Sequence, residues 1–168
     1  MARRNAASPI ALGGILAAAA TVIQCIGGMI PLATFVCPML CILLVAVVRR
    51  NCGPRIAWAW YGCVAILSVL LGPDKEAAAV FVFLGYYPVV KETLDSWPLR
   101  WLWKGLLFNV AVGAMYFVLI RLLGMEALAA EMKELGFALG AVTLVLGNAT
   151  FFLLDRLLQK RFPPSRKG

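Results

Sequence analysis

The chain has no histidine at all, and only eight of its 168 residues are acidic. Without an imidazole, Ser-His nucleophilic chemistry, histidine-ligated zinc and haem held by histidine are all excluded. Paired intramembrane aspartates are missing as well, because Asp155 is the single carboxylate inside a long apolar run and sits near the end of it. No glycine-rich phosphate loop of the Walker type occurs, so the chain does not hydrolyse ATP by itself. Segments of roughly ten residues alternating apolar and polar, which a membrane β-barrel needs, are absent too. The expectation is a protein that is not an enzyme and carries no cofactor and no metal.

Charge of either sign is scarce, at 14% of residues, whereas 62% are hydrophobic and the mean hydropathy is +0.88. A water-soluble domain does not use that mixture, so the solvent for most of this surface is lipid. A hydrocarbon core of roughly 30 Å needs about 20 apolar residues per helix, and a chain of this length threads it about six times. Continuous apolar runs such as Phe35 to Val48 point to helices, which satisfy their own backbone hydrogen bonds.

The fold class expected is therefore all-α, a compact bundle of six transmembrane helices forming a single domain over residues 1–161. The spans fall at about 9–28, 30–48, 55–72, 76–90, 99–124 and 135–158, with a basic tail at 162–168. Arg3 and Arg4 ahead of an alanine-rich run have the pattern of a signal peptide, but five more spans follow and the segment reads as the first helix. The fourth span is the shortest, about fifteen residues rising some 22 Å, and is expected to be short or sunk among its neighbours. Between it and the fifth, residues 91–104 mix charge with Trp97, Trp101 and Trp103, which predicts a short helix in the membrane plane broken by Pro98. The loop from Met125 to Glu134 has helical composition and is expected to cap the outer face.

Orientation follows from the basic residues. Arg3, Arg4, Arg49, Arg50, Arg55, Lys91, Arg100, Lys104, Arg156, Lys160, Arg161, Arg166 and Lys167 fall on one side, thirteen of the sixteen. Lysine and arginine in short loops stay cytoplasmic, so both termini are expected inside a cell membrane, of the bacterial plasma type. The net charge of +8 is thereby explained by topology and by membrane lipid, not by nucleic acid. Of the five cysteines, Cys37 and Cys41 lie one helical turn apart, yet with no histidine or nearby carboxylate they read as small buried hydrophobes.

Two groups of residues stand out. Small residues recur at four-residue spacing in the first helix, as Ala7/Ala11, Gly13/Ala17 and Gly14/Ala18, a face that lets another helix come close, either within this bundle or from a separate subunit. Polar residues in the outer halves of the spans include Gln24, Thr34, Ser68, Tyr116 and Arg121, with Thr143 and Asn148 nearer the middle and Asp74-Lys75-Glu76 at an outer turn. They line an outward-facing pocket, or else the hydroxyls bond their own helices while Asn109 and Asn148 tie helices together.

In this arrangement the chain resembles the substrate-binding S component of an energy-coupling factor (ECF) vitamin transporter. The likeness lies in the six short spans, the termini inside, the opening Ala7-Ser-Pro-Ile-Ala11-Leu-Gly-Gly-Ile-Leu-Ala17-Ala18 and the closing Asn148-Ala-Thr-Phe-Phe-Leu-Leu-Asp155-Arg156. The resemblance implies capture of a small vitamin-like molecule from outside, with uptake driven by a transmembrane coupling subunit and separate ATPase subunits. It would place substrate on Asp74, Lys75, Glu76, Tyr116, Arg121, Thr143 and Asn148, and partner docking on Ala7, Ala11, Gly14 and Ala18. The lack of a histidine-bearing amino terminus departs from members that carry cobalt or nickel. The competing class is a structural or assembly membrane protein that acts through helix–helix contacts.

Overall fold

The computed structural model describes residues 7–27, 29, 33–121, 123–124 and 136–161, with only the backbone of Ala7, Ser8, Thr143 and residues 136–140. All the elements among them are helices: α1 (Ala7–Gly27), α2 (Ala33–Cys52), α3 (Pro54–Leu71), α4 (Lys75–Leu84), α5 (Tyr87–Asp95), α6 (Arg100–Arg121) and α7 (Gly136–Arg161). Five segments are long and apolar enough to cross a membrane: Pro9–Gly27, Ala33–Cys52, Pro54–Leu71, Lys75–Asp95 and Arg100–Arg121. Large apolar side chains on their outer faces, such as Ile15 at 69% and Leu70 at 71% exposure, fit a multi-pass membrane protein, in which hydrocarbon covers them. The expected cap at Met125–Glu134 and the basic tail lie outside the described residues.

The helix ends have local causes. Arg49 and Arg50 occupy the last turn of α2, where cations oppose the helix dipole. Gly53 then takes a φ of +89°, open to glycine, and Pro54 starts α3 with its ring already at a helical φ, so a single residue joins two helices. Asp74 caps α4 by accepting from the N–H groups of Glu76 (2.9 Å) and Ala77 (3.2 Å). The fourth span is two helices, broken at Gly85–Tyr86. As expected, it is sunk: 56% of it is buried, against 22–33% for the other four candidates.

The chain divides into two compact units, residues 1–93 and 94–168. In the first, repeated pairings set the register. Trp60 Nε1 donates to the Gly13 carbonyl (2.9 Å) and Cys25 Sγ to that of Leu71 (3.8 Å), so α1 and α3 run parallel. Cys41 Sγ donates to the Ala20 carbonyl (3.5 Å) and Cys52 Sγ to that of Pro9 (3.2 Å), so α2 runs against α1. Gly27 lets these two helices come close, since a Cβ there would collide with the Cys37 side chain. Ala20, Cys41, Val45, Val64, Ala77 and Phe81 form the core of this unit.

The second unit pairs α6 with α7. Phe108 stacks on Phe151 with ring centroids 4.7 Å apart, and Trp101 meets Phe152 at 5.5 Å. Residues early in α6 pair with residues late in α7, so the two are antiparallel. Residues 91–104 do not form a helix of their own. Their first part completes α5 and their last part opens α6, because Pro98 ends the helical run and Leu99 turns the chain with a φ of +59°. Leu99 then caps α6 with its carbonyl, which accepts from Leu102 N–H at 2.9 Å.

Candidate functional site

In the first unit the register gathers unlike groups at its two ends. At one end lie Arg49, Arg50, Arg55 and Lys91. Arg49 ties α2 to α5 by donating to the Pro88 carbonyl and pairing with Glu92 at 2.6 Å. Lys91 is buried, its ammonium 5.8 Å from the centre of the Tyr87 ring. At the other end, the α3–α4 connection brings Asp74, Lys75 and Glu76 together. Asp74 is engaged as the α4 cap. Lys75 Nζ donates to the carbonyls of Val69 (2.8 Å) and Gly72 (3.1 Å), closing the last turn of α3. Two of the three charged side chains expected in a pocket therefore also hold helix ends.

Gln24 lies near this second end. The offset between α1 and α3 puts it level with the last turn of α3, about one helical turn from the charged connection. It is 2% exposed, and neither its Oε1 nor its Nε2 has a hydrogen-bond partner among the described residues. Ser68, also buried in the last part of α3, donates to its own helix at the Val64 carbonyl (2.7 Å). A primary amide enclosed without a bond is costly, and more so where the surroundings are hydrocarbon. Its donor and acceptor edges match a carboxamide, ureide or lactam.

In the second unit, Tyr116 is half-buried on α6 and Arg121 is exposed at the end of that helix. Asn148 on α7 exchanges two hydrogen bonds with Asn109 on α6, both at 3.1 Å. Each amide also donates to its own helix, at Leu144 and Gly105 respectively. The Thr143 side chain lies outside the described residues. Asp74, Lys75 and Glu76 thus belong to the first unit, and Tyr116, Arg121 and Asn148 to the second. Tyr116 and Arg121, five residues apart, point to different sides of α6.

The small-residue face of α1 is divided by the structure. Gly13 is buried, its carbonyl bonded by Trp60. Ala11, Gly14 and Ala18 are exposed, and a Cβ built on Gly14 would meet nothing within 4 Å. The Ala7 side chain lies outside the described residues.

One cluster escaped the sequence reading. Lys104, 2% exposed, donates to Asp95 (2.5 Å) and to Asp155 (3.0 Å), and Gln159 donates to Asp155 at 3.3 Å. Asp155 is 1% exposed. Counting Lys104 only toward topology hid its role. The available signal was Asp155, an ionisable residue inside an apolar span, which requires a partner of opposite charge. Among the described residues no group of three or more His, Cys, Asp or Glu is arranged to hold a metal ion. No family model, curated protein or solved structure matches this chain.

Proposed function

We propose that the chain is a multi-pass subunit of a cell membrane that captures a small, polar, vitamin-like molecule from the outside, in the manner of the S component it resembles. The reading has six spans, α7 being the sixth, and both termini in the cytoplasm. The observation that carries it is Gln24, a buried amide with unused donors and acceptor beside the charged α3–α4 connection. A ligand carrying an amide-like edge would satisfy it, with Asp74, Lys75 and Glu76 at the mouth of the site. Ala11, Gly14 and Ala18, exposed on α1, together with Ala7, form the surface offered to a transmembrane coupling subunit. Energy for release comes from ATPases on other chains, since this one has no phosphate loop. Clustering of Arg49, Arg50, Arg55 and Lys91 at one end of the first unit supports that end as cytoplasmic.

A second reading, a structural or assembly protein, is favoured by Asp74 and Lys75 serving as caps and by Asn148 being engaged with Asn109. Small-molecule mass spectrometry of gently solubilised protein separates the two. The wild type is expected to retain a polar compound that Gln24→Leu loses. Clean wild-type protein with a stable protein partner would decide for assembly. In the ligand-free state Gln24→Leu is expected to raise stability by about 1–3 kcal/mol, because it removes an unbonded buried amide. Thermal unfolding in detergent measures this.

A further inference from the structure

α7 presents Ala149, Phe152, Leu153 and Arg156 at intervals of three and four residues, hence on one helix face, and Trp101 of α6 stands beside them. Together they enclose a groove of about 310 Å³. Its floor is shallow at Ala149, where the side chain is a single methyl, and the Trp101 and Phe152 rings, packed on each other with centroids 5.5 Å apart, form one wall. Trp101 is 49% and Leu153 60% exposed, so the groove opens onto the surrounding medium, which for this chain is lipid. Its one charged group is Arg156, exposed and without an ion-pair or hydrogen-bond partner among the described residues. The adjacent Asp155 faces the other way and is held by Lys104. Asp95, the other described carboxylate of this unit, is held by the same ammonium. Lys104 balances one of these two carboxylates, and Arg156 with the exposed Arg100, Lys160 and Arg161 of the same two helix ends outnumbers the one that remains, so this end of the unit is net positive.

The groove runs about 10 Å along α7, from an apolar end at Ala149 to a cationic end at Arg156. An indole stands in its wall, a side chain that favours the level where acyl chains give way to headgroups. We propose that this groove seats one anionic phospholipid of the surrounding bilayer, an acyl chain lying over Ala149, Phe152 and Leu153 and its phosphate against the Arg156 guanidinium. Arginine suits this role because its planar fork matches phosphate oxygens in pairs. A water-soluble ligand fits poorly, since Arg156 is the sole charged side chain lining the groove and the Trp101 indole N–H is the one other polar side-chain group. The proposal needs only that lipid surrounds the second unit, and it stands or falls independently of the capture function.

The test is native mass spectrometry of the full chain, extracted from bilayers of equimolar phosphatidylglycerol and phosphatidylcholine and delipidated stepwise. The wild type is expected to keep one phosphatidylglycerol last. Arg156→Gln should lower the ratio of retained anionic to neutral lipid about fivefold, the effect of one basic side chain at a charged membrane surface. Ala149→Leu, which fills the groove and leaves the charge, should lower it comparably. Lys160→Gln, which removes a charge that does not line the groove, should change it by less than about twofold, because a cation not seated on the phosphate acts only through the salt-screened surface field. An unchanged ratio in Arg156→Gln or in Ala149→Leu would overturn the proposal. So would an equal loss in Lys160→Gln, which would mean a diffuse basic edge, or a protein partner held on this face in place of lipid. All three substituted positions are exposed or lipid-facing, and Arg156→Gln alone suffices should Ala149→Leu fail to fold.

Discussion

Lys104 brings a buried ammonium between two carboxylates at 2.5 and 3.0 Å. Removing one member of such a group leaves an uncompensated charge, which costs more than the group as a whole contributes. Lys104→Met is accordingly expected to destabilise the protein by about 3–5 kcal/mol, read from thermal unfolding in detergent, and Lys104→Met/Asp155→Leu should recover most of that loss. Recovery is possible because Asp95, at 21% side-chain exposure, reaches solvent once released. The Asn109–Asn148 pair is a different case. Asn109 lies nine residues into α6, about 13 Å from its start and so close to the middle of a hydrocarbon layer of about 30 Å. A double-mutant cycle with Asn109→Ala and Asn148→Ala should yield a coupling of about 0.5–1.7 kcal/mol, in the range of intramembrane hydrogen bonds. A coupling near zero would mean that both amides bond equally well to their own helix carbonyls. The pairing was readable in the sequence as one of two options for Asn148, whereas the Lys104 partners, 9 and 51 residues away, were not, since no local pattern joins them.

At the scale of the helix, glycines on α1 are unequal. Gly27→Ala places a methyl against Cys37 of α2 and is expected to cost about 1–3 kcal/mol as overpacking. Gly14→Ala meets open space and should be neutral or stabilising by up to about 1 kcal/mol, from the better helix propensity of alanine. Equal losses in the two variants would show that Gly14 is also packed. Helix boundaries were largely legible because their signals are short-range: Gly53-Pro54 between α2 and α3, Asp74 ahead of α4, Pro98 ahead of α6. The nature of residues 91–104 was not. Tryptophans and charges at an interface look alike whether they form a helix of their own or the ends of two others, and the outcome turned on a left-handed Leu99 that composition does not encode. Likewise the four-residue spacing on α1 predicted a close-packing face but not which of its rows would be covered. The Trp60 indole, reaching across from α3 to Gly13, decided that.

For the molecule as a whole, the apolar content pointed to a helical membrane protein; the described elements are all helices, and five segments of sufficient length are compatible with it. The division at residues 93 and 94 was not evident, because the chain there keeps its helical pattern up to Asp95 and breaks only over the next few residues, every position from 96 to 103 being exposed. Orientation is open to direct measurement. Tags at either terminus are expected to react with a membrane-impermeant reagent only after the cells are permeabilised; labelling of intact cells would reverse the proposed sidedness and with it the assignment of Gln24 to an outer site. The ion cluster of the second unit also imposes an order in time. Asp155 is made 51 residues after Lys104, roughly three to ten seconds later at a synthesis rate of about 5–20 residues per second. Until then Lys104 has Asp95 as its only counter-ion of the two. Closure of the second unit therefore waits for the last helix, and a nascent chain halted before Asp155 holds Lys104 by one carboxylate instead of two.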